Sequence, residues 1–188
     1  MNVQEATTRR LPDLKERHLP ENCRETINTI LKETYGYEQF RNLEIYDDLS
    51  KGKEKLCISQ GQLIENVILE AEKAWKSETQ VDNILLTAPT GSGKSLLFQL
   101  PAIYLGKGYN LLTIVVSPLK ALIVDQVESL QELGYTRVAY ASSDLSPEQK
   151  MEVYRQVREG EIDLFGIASL LRHQAFCRRA PHRSGSGR

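Results

Sequence analysis

One stretch, TAPTGSGKSLLFQLPA from Thr87 to Ala102, constrains the fold of this chain more than any other. The short apolar run 83–86 precedes it, and we expect this run to be the first core strand. Apolar residues at helical spacing follow the glycines. A strand, a glycine-bearing loop and a helix start together present free backbone N–H groups and a positive helix dipole, which favour phosphate. The stretch therefore predicts a phosphate loop that binds a nucleoside triphosphate.

The glycines, the lysine and the serine of this loop each have a chemical reason to be there. Gly91 and Gly93 allow backbone angles that a Cβ would forbid, and they allow phosphate oxygens to approach closely. Lys94 is placed to reach the β- and γ-phosphates, and the Ser95 hydroxyl is placed to ligate Mg²⁺. We predict that Lys94 and Ser95 carry the chemistry, with ATP and Mg²⁺ as cofactors. The predicted ATP-binding residues of the loop are Ala88, Pro89, Thr90, Gly91, Ser92, Gly93, Lys94 and Ser95.

Composition limits the class of protein. A chain of 188 residues suits one α/β domain with extra N-terminal helices. The 24 Lys and Arg against 25 Asp and Glu give a net charge of −1, so any nucleic-acid contact must be local. The N-terminus does not resemble a signal peptide and no apolar run could span a bilayer, which predicts a cytoplasmic or nucleoid-associated protein that is not secreted. Cys23, Cys57 and Cys177 are widely separated, and we expect reduced thiols.

The region before the loop is predicted to be helical. We assign residues 1–58 to an N-terminal helical extension, with an irregular arm up to residue 20 and a docking helix over 21–32. A second amphipathic helix follows Gln60. Its predicted inward stripe, at a spacing of four, is Leu63, Val67, Ala71 and Trp75.

The loop and its neighbours resemble one family. Ala88 stands where the strict GxxxxGK[ST] pattern has its first Gly, and this AxTGSGKS form resembles the phosphate loop of superfamily 2 helicases, the DEAD-box and RecQ-like ATPases. The strings SLLFQLPA and YGYEQFR (35–41) resemble the RecQ-like version. The resemblance covers residues 35–168. It implies the ATP-binding lobe of an ATP-dependent nucleic-acid helicase or translocase.

The resemblance also implies a glutamine that reads adenine upstream of the loop. Glu44 occupies the place expected for it after YGYEQFR, and a carboxylate cannot offer the paired donor and acceptor of an amide. Gln62, at the head of the second helix, is therefore our adenine-reading candidate, with Gln60 second. A solvated glutamine at a helix start remains the open alternative.

A second string, SPLKALIVDQVESLQELG (117–134), resembles the segment of RecQ-like and DEAD-type helicases that grips a single strand by its sugar-phosphate backbone. The resemblance implies contacts from Ser117, Pro118, Leu119 and Lys120, with single-stranded DNA as the expected partner; the sequence does not separate DNA from RNA. The predicted helix anchors are Leu119, Leu122, Ile123, Val127, Leu130 and Leu133.

ALIVDQ (121–126) has a competing interpretation as a strand that ends in a magnesium-organising Asp125. The apolar spacing of three and four along the whole stretch, closed by Gly134, favours a helix instead.

The remaining pattern alternates strands and helices. It predicts an α/β P-loop NTPase lobe of RecA-like type over residues 59–170, with a parallel sheet flanked by helices. The helix after the loop is predicted to kink or end early at Pro101, and Gly106 and Gly108 can stop it. A strand buried on both faces is predicted over 111–116, and further strands over 137–142 and 163–168. Between the last two strands, a helix from Ser146 to Glu159 is predicted, with Met151, Tyr154 and Val157 inward.

After this strand the resemblance fails. Ser169 and Leu170 stand where RecQ-like proteins have a Pro-Glu step, and no DExH or DEAD string occurs in the sequence. Because those carboxylates hold Mg²⁺ and polarise the attacking water, we predict negligible ATP turnover by this chain alone. Residues 171–188 are predicted to be a basic disordered tail. We interpret this tail as an altered or truncated reading of a longer gene rather than a nucleic-acid arm.

Two other classes stay open from the sequence. A P-loop kinase or other nucleotide phosphotransferase would need a substrate lid and would not respond to nucleic acid, and the SPLKAL string argues against it. A non-enzymatic, nucleotide-dependent binding module, or a truncated remnant of an enzyme, predicts protection by MgATP against unfolding without product formation.

Overall fold

A computed structural model describes residues 19–46, 55–76, 81 and 83–168 of the chain. The arm before residue 19, residues 169–170 and the tail 171–188 lie outside the described residues. In chain order the elements are α1 (Glu21–Tyr35), β1 (Asn42–Tyr46), β2 (Lys55–Ser59), α2 (Gln60–Trp75), α3 (Leu96–Tyr109), β3 (Thr113–Ser117), α4 (Lys120–Glu132), β4 (Val138–Ala141), α5 (Pro147–Arg158) and β5 (Leu164–Ala168).

The central element is a parallel sheet with helices packed on it. In the described residues it has three strands in the order β3-β5-β4, with Thr113 and Val138 both opposite Leu164. The carboxyl ends of parallel strands meet at one edge, so the loops after β3 and β4 lie at the same edge of the sheet. This arrangement confirms the predicted α/β fold class with a parallel sheet flanked by helices.

Two helices begin with capping boxes. The α5 start is a capping box, in which Gln149 N–H donates to Ser146 Oγ at 3.2 Å and Ser146 N–H donates to Gln149 Oε1 at 2.8 Å. A second capping box, between Ser59 and Gln62, begins α2. These pairs satisfy donors that every helix start leaves free, which fixes where each helix enters the fold.

The core lies between the sheet and the helices α1 to α4. Ile64, Ile68, Leu100, Ile103 and Leu130 are fully buried in it. A smaller cluster, in which Tyr154 and Val157 of α5 pack near the buried Phe165, lies on β4 and β5. Burial of apolar side chains at this scale contributes about 1.5–3 kcal/mol each and holds the phosphate loop and the sheet edge on one body.

One element was not predicted. The antiparallel hairpin β1–β2, with Asn42 opposite Ser59, interrupts the predicted helical extension over 1–58. Leu43 and Ile58 of this hairpin are buried in the main core. The hairpin was missed because its strands are short and mixed in polarity, so that tertiary packing rather than periodicity decides their structure.

Two predicted strands differ in the structure. Residues 83–86 form no strand, because none of the described strands pairs with them, and Leu85 is 88% exposed. The strand predicted over 111–116 is β3, but it is not buried on both faces: Ile114 and Val116 are exposed. One face of β3 packs toward the core through Val115, and no described helix covers the other.

The loop helix also differs from its prediction. α3 continues through Pro101 to Tyr109, so of the kink or early end predicted at Pro101 the early end does not occur. Gly106 does not stop the helix either; it lies inside α3, where an added Cβ would overlap the Asp163 side chain. The helix ends with Asn110 in the left-handed region at φ 53°.

Several predicted inward side chains point to solvent. The helix predicted over 117–134 is confirmed as α4, and this excludes the interpretation of 121–126 as a strand that ends in Asp125. Ile123, Val127 and Leu130 of this helix are buried, as expected. Three of the wrong predictions concern residues at helix ends rather than on a buried helix face: Leu119 and Leu133 flank α4, and Trp75 is the last residue of α2. The exposed residues are Leu119, Leu122 and Leu133 near α4, Trp75 in α2 and Met151 in α5.

Within the described ranges, no helix has the length and apolar character needed to cross a membrane. Cys23 and Cys57 are free thiols, and Cys177 lies outside those ranges.

Candidate nucleotide and nucleic-acid sites

The phosphate loop spans residues 87–95 and is shaped by two glycines. Gly91 has φ +80° and Gly93 has φ +77°, a region that side chains with a Cβ rarely adopt. Lys94 is exposed, and its Nζ donates to the carbonyl oxygens of Ala88 at 2.8 Å and Pro89 at 2.6 Å. The start of the loop therefore folds back toward Lys94, and the positive charge of the ammonium lies beside the loop backbone.

The loop leads into α3 through a tight turn. Leu96 N–H donates to Gly93 O at 3.2 Å, and Leu97 N–H donates to Lys94 O at 3.0 Å. In the described part of the chain, the N–H groups of Gly93, Lys94 and Ser95 have no acceptor. Free donors at the start of a 14-residue helix form the electropositive end that anions prefer.

Gln60 contacts this loop directly. Its side chain is buried, and Nε2 donates to Ser92 O at 3.1 Å and to Gly93 O at 3.3 Å. Its Oε1 accepts from Arg41 N–H at 3.1 Å. Both amide hydrogens are therefore engaged, which leaves Gln60 no donor for a base.

Gln62 is placed differently. Its Oε1 accepts from Ser59 N–H at 3.4 Å in the capping box, and it lines a cavity beside α1 together with Asn28 and Phe40. Phe40 packs against Gly61, where an added Cβ would lie 2.7 Å from the ring. The Gln62 NH₂ has no acceptor among the residues that the structure describes, so it retains two free donors.

The second predicted site lies at the carboxyl end of β3. Ser117 is buried, and its Oγ accepts from Leu119 N–H at 3.2 Å, which shapes the turn into α4. Pro118 and Leu119 are exposed on this turn, and Lys120 begins the helix. The structure thus brings these four predicted residues together in one surface turn.

Lys120 already has a partner at this turn. Its ammonium forms an ion pair with the carboxylate of Asp144, from the loop after β4. The two side chains are 42% and 58% exposed, so solvent screens the pair. Sequence reasoning missed Asp144, although its place just after a predicted strand at the same sheet edge was a usable signal.

No group of three or more potential metal-ligating side chains occurs within the described ranges. The part of the site that the structure does describe is an anion cradle: one ammonium, one hydroxyl and several free amides. This set suits the negatively charged phosphates of a nucleotide.

A parallel α/β sheet with such a loop ahead of its first flanking helix defines a P-loop nucleotide-binding domain. The profile of the DEAD/DEAH box helicase family matches residues 68–171, more than half of the chain, and the chain belongs to that family. Within the family it is a RecQ-like member of superfamily 2, as its relatives indicate.

Several curated helicases align with most of the chain. The ATP-dependent DNA helicase RecQ of Synechocystis sp. is 33% identical over 132 residues, which cover 70% of this chain and 21% of that protein. The RecQ protein of Bacillus subtilis is 31% identical over 139 residues, covering 74% of this chain and 18% of that protein. ATP-dependent DNA helicase Q4 of Mus musculus is 40% identical over 84 residues, or 45% of this chain and 7% of that protein.

The chain therefore spans about a fifth of the length of these bacterial relatives. Membership in a helicase family does not favour the two alternatives drawn from the sequence, a P-loop kinase and a non-enzymatic binding module.

Proposed function

We propose that this chain is the ATP-binding lobe, over residues 59–170, of an ATP-dependent DNA helicase or translocase of superfamily 2. The observation that carries the proposal is the phosphate loop, with Gly91 and Gly93 at positive φ, the Lys94 ammonium in the curve of the loop and unpaired amides at the start of α3. The helicase names of its relatives support the choice of DNA as the partner. A DNA partner agrees with a cytoplasmic or nucleoid-associated location.

The residues of the loop fit MgATP. Lys94 would exchange its carbonyl partners, Ala88 and Pro89, for β- and γ-phosphate oxygens, because an ionised acceptor forms the stronger hydrogen bond. The Ser95 hydroxyl would ligate Mg²⁺ and the loop amides would bind the remaining phosphate charge. Bound ATP supplies the free energy of phosphoryl transfer to water. The protein groups supply position and electrostatic stabilisation.

Base recognition is assigned to Gln62. A glutamine amide reads adenine with one donor and one acceptor, and the free NH₂ of Gln62 meets the first requirement. Its Oε1 holds the N-cap of α2 at 3.4 Å, a long hydrogen bond that a base could replace or share.

Nucleic-acid contact is assigned to the turn after β3. Lys120 and the exposed Pro118–Leu119 backbone would bind the phosphates of single-stranded DNA, while the Ser117 hydroxyl keeps the turn in shape. Both this turn and the phosphate loop pack on the same core, through α4 and α3. The nucleotide and the single-stranded DNA would thus bind the same rigid body.

The chain alone is proposed to turn over ATP negligibly, since its sequence contains no DExH or DEAD string. The test is ATP hydrolysis by the full chain with and without single-stranded DNA. It is run beside a measurement of MgATP protection against thermal unfolding. We expect protection without product. DNA-stimulated turnover that Lys94→Ala abolishes would show that the hydrolytic groups are present and would contradict this part of the proposal.

A further inference from the structure

Strand β3 lies at an open edge of the sheet. The described strands are ordered β3-β5-β4, so β3 has a neighbour on one side only. Thr113, which lies opposite Leu164, donates its N–H to Asp163 O at 2.8 Å. Because the backbone groups of successive residues point to opposite sides of a strand, the N–H and C=O groups of Ile114 and Val116 point away from β5. Among the described residues, these outward groups have no hydrogen-bond partner.

The same two residues also expose their side chains. Ile114 is 48% exposed and Val116 is 70% exposed, whereas Val115, on the other face of the sheet, packs against the main core. The strand at the opposite edge of the described sheet differs, because most side chains of β4 are buried. β3 is therefore the edge at which both the backbone and the side chains are accessible.

The sequence of β3 has none of the usual features that protect a sheet edge. Natural edge strands are commonly blocked by a charged side chain, a proline or a bulge. β3 reads TIVVS, which is uncharged, mainly β-branched and free of proline, and its register with β5 is continuous. Pro118 follows the strand and has no N–H, so that further pairing would end there. Such an edge favours pairing with one more short strand.

A second copy of β3 fits this edge by symmetry. In an antiparallel pair centred on Val115, Ile114 of one copy lies opposite Val116 of the other, and the two residues exchange two N–H···O=C hydrogen bonds. A two-fold axis produces this pair twice, so all the outward N–H and C=O groups of Ile114 and Val116 find partners. The Ile114 and Val116 side chains then lie side by side on the open face, as β-branched cross-strand pairs do.

Charge and size determine how strong such a dimer would be. The strand is uncharged and each copy has a net charge of −1, so the repulsion between two copies is small. A pair of five-residue strands buries less surface than the roughly 1,600 Å² of a typical stable interface. We therefore expect a weak dimer that dissociates on dilution.

We propose that two copies of this chain associate through β3, which pairs antiparallel with its own copy about a two-fold axis at Val115 and joins the two sheets into one. The contact surface consists of the free backbone edge of β3 and the side chains of Ile114 and Val116. This inference goes beyond the proposed function, and it needs neither nucleotide nor DNA.

Sedimentation equilibrium of the full chain over a wide range of concentrations measures the dimer. The wild-type chain should pass from monomer to dimer as its concentration rises. Val116→Lys places a charge at the edge and should raise the dissociation constant of the dimer by about tenfold or more. Leu133→Lys is the matched control, because Leu133 is also exposed, at 46%, but lies at the end of α4. It should leave the dissociation constant unchanged.

Val116→Pro separates backbone pairing from apolar contact. The proline removes the outward N–H of residue 116 and no hydrogen bond to β5, which an edge strand tolerates. This variant should weaken the dimer. Val116→Thr keeps both the N–H and the β-branched shape, and it should dimerise nearly as well as the wild-type chain. Should Val116→Pro not fold, Val116→Lys decides by the same criteria.

Hydrogen exchange of single backbone amides locates the interface without any substitution. The amides of Ile114 and Val116 should exchange faster in dilute than in concentrated solution, because only the dimer gives them acceptors. The amide of Thr113, which donates to Asp163 O within one copy, should exchange at the same rate in both.

Two results would overturn the proposal. The first is a wild-type chain that stays monomeric at millimolar concentration; slow exchange at Ile114 and Val116 in that monomer would mean that a part of the same chain outside the described ranges covers the edge. The second is a dimer that both Val116→Lys and Val116→Pro leave intact, since the copies would then associate through another surface.

Discussion

Lys120, at the start of α4, forms an ion pair with Asp144, in the loop that follows β4. The pair joins two loops at the carboxyl edge of the sheet and places a carboxylate beside the lysine that we assign to DNA. An exposed pair of this kind contributes at most about 1 kcal/mol, so a phosphate can replace the carboxylate at little cost. If the proposed assignment of Lys120 holds, Asp144 competes with nucleic acid for this lysine.

Removal of the competing charge should strengthen DNA binding. We expect Asp144→Asn to raise the affinity for single-stranded DNA by about two- to fivefold at low salt, since one repulsive charge is lost and Lys120 is released. Lys120→Ala should lower the affinity for single-stranded DNA. It should also reduce the slope of the logarithm of the binding constant against the logarithm of salt concentration by about one, since one phosphate contact is lost. Fluorescence anisotropy with a labelled oligonucleotide, repeated at several salt concentrations, measures both effects.

Glu132→Gln is the matched control, because it makes the same change of charge at the opposite, exposed end of α4. It should leave DNA affinity nearly unchanged. Equal affinities for Asp144→Asn and the wild-type chain would mean that the turn after β3 does not bind the strand through Lys120.

The two loop glycines should differ in their cost of substitution. Gly91→Ala and Gly93→Ala both place a Cβ at positive φ, which costs about 1 kcal/mol in each. Only Gly93→Ala also displaces Gln60. Urea unfolding should therefore show a larger loss of the free energy of unfolding for Gly93→Ala, and equal losses would argue against the Gln60 contact.

A buried aspartate, Asp163, with its partners Tyr135 and Arg137, stabilises the edge of the sheet opposite the sites. Asp163 is 1% exposed and accepts from the Tyr135 hydroxyl and from Arg137 Nε and Nη2, the latter two at 2.8 Å. Asp163→Asn should lower the free energy of unfolding by about 3 kcal/mol, because it replaces a buried charged acceptor. Asp144→Asn, which removes an exposed partner, should cost under about 1 kcal/mol in the same urea experiment. Similar costs for the two variants would contradict this account of the cluster.

The same cluster predicts how stability changes at alkaline pH. Burial, and then the hydrogen bond to Asp163, raise the pKa of Tyr135 above its ordinary value of 10. The folded state therefore keeps a proton that the unfolded state loses, and stability falls as pH rises above 10. Tyr135→Phe should make this fall less steep, by up to about 1.4 kcal/mol per pH unit.

Tyr109 offers an independent check of the alkaline effect. Its hydrogen bond to Glu72, with a smaller effect of burial, raises the pKa of Tyr109 to about 12. Tyr109→Phe should also make the fall of stability with rising pH less steep, because the unfolded state then no longer loses a proton that the folded state keeps. If the free energy of unfolding falls with pH as steeply in Tyr135→Phe as in the wild-type chain, the hydrogen bond between Tyr135 and Asp163 does not cause the loss of stability at alkaline pH.

Local sequence signals predicted much of this fold. The Ser146 and Gln149 capping box marks the start of α5, and the apolar spacing around Ile123 and Val127 marks α4 as a helix. The loop glycines were predictable for the same reason: few backbone shapes require two residues at positive φ so close together. Such signals act over three or four residues and do not depend on distant packing.

The remaining features depend on contacts between distant residues. Gly106 suggested the end of a helix, but Asp163 packs against it from 57 positions away in sequence. The Gln60 side chain has two partners, Arg41 and the phosphate loop, that only the folded chain brings together. The run 83–86 has the composition of a strand, but a strand also needs a neighbour to bond with, which composition does not supply.

The central claim is that the loop around Lys94 binds the triphosphate of a nucleotide. Titration of the folded chain with fluorescent ATP and Mg²⁺ tests it most directly, with Lys94→Ala as the variant, because Lys94 is exposed and its loss should not affect folding. We predict saturable, magnesium-dependent binding by the wild-type chain and a loss of affinity of at least about tenfold in Lys94→Ala. A wild-type chain that stays empty at millimolar MgATP, or a Lys94→Ala variant that binds as tightly, would contradict the account.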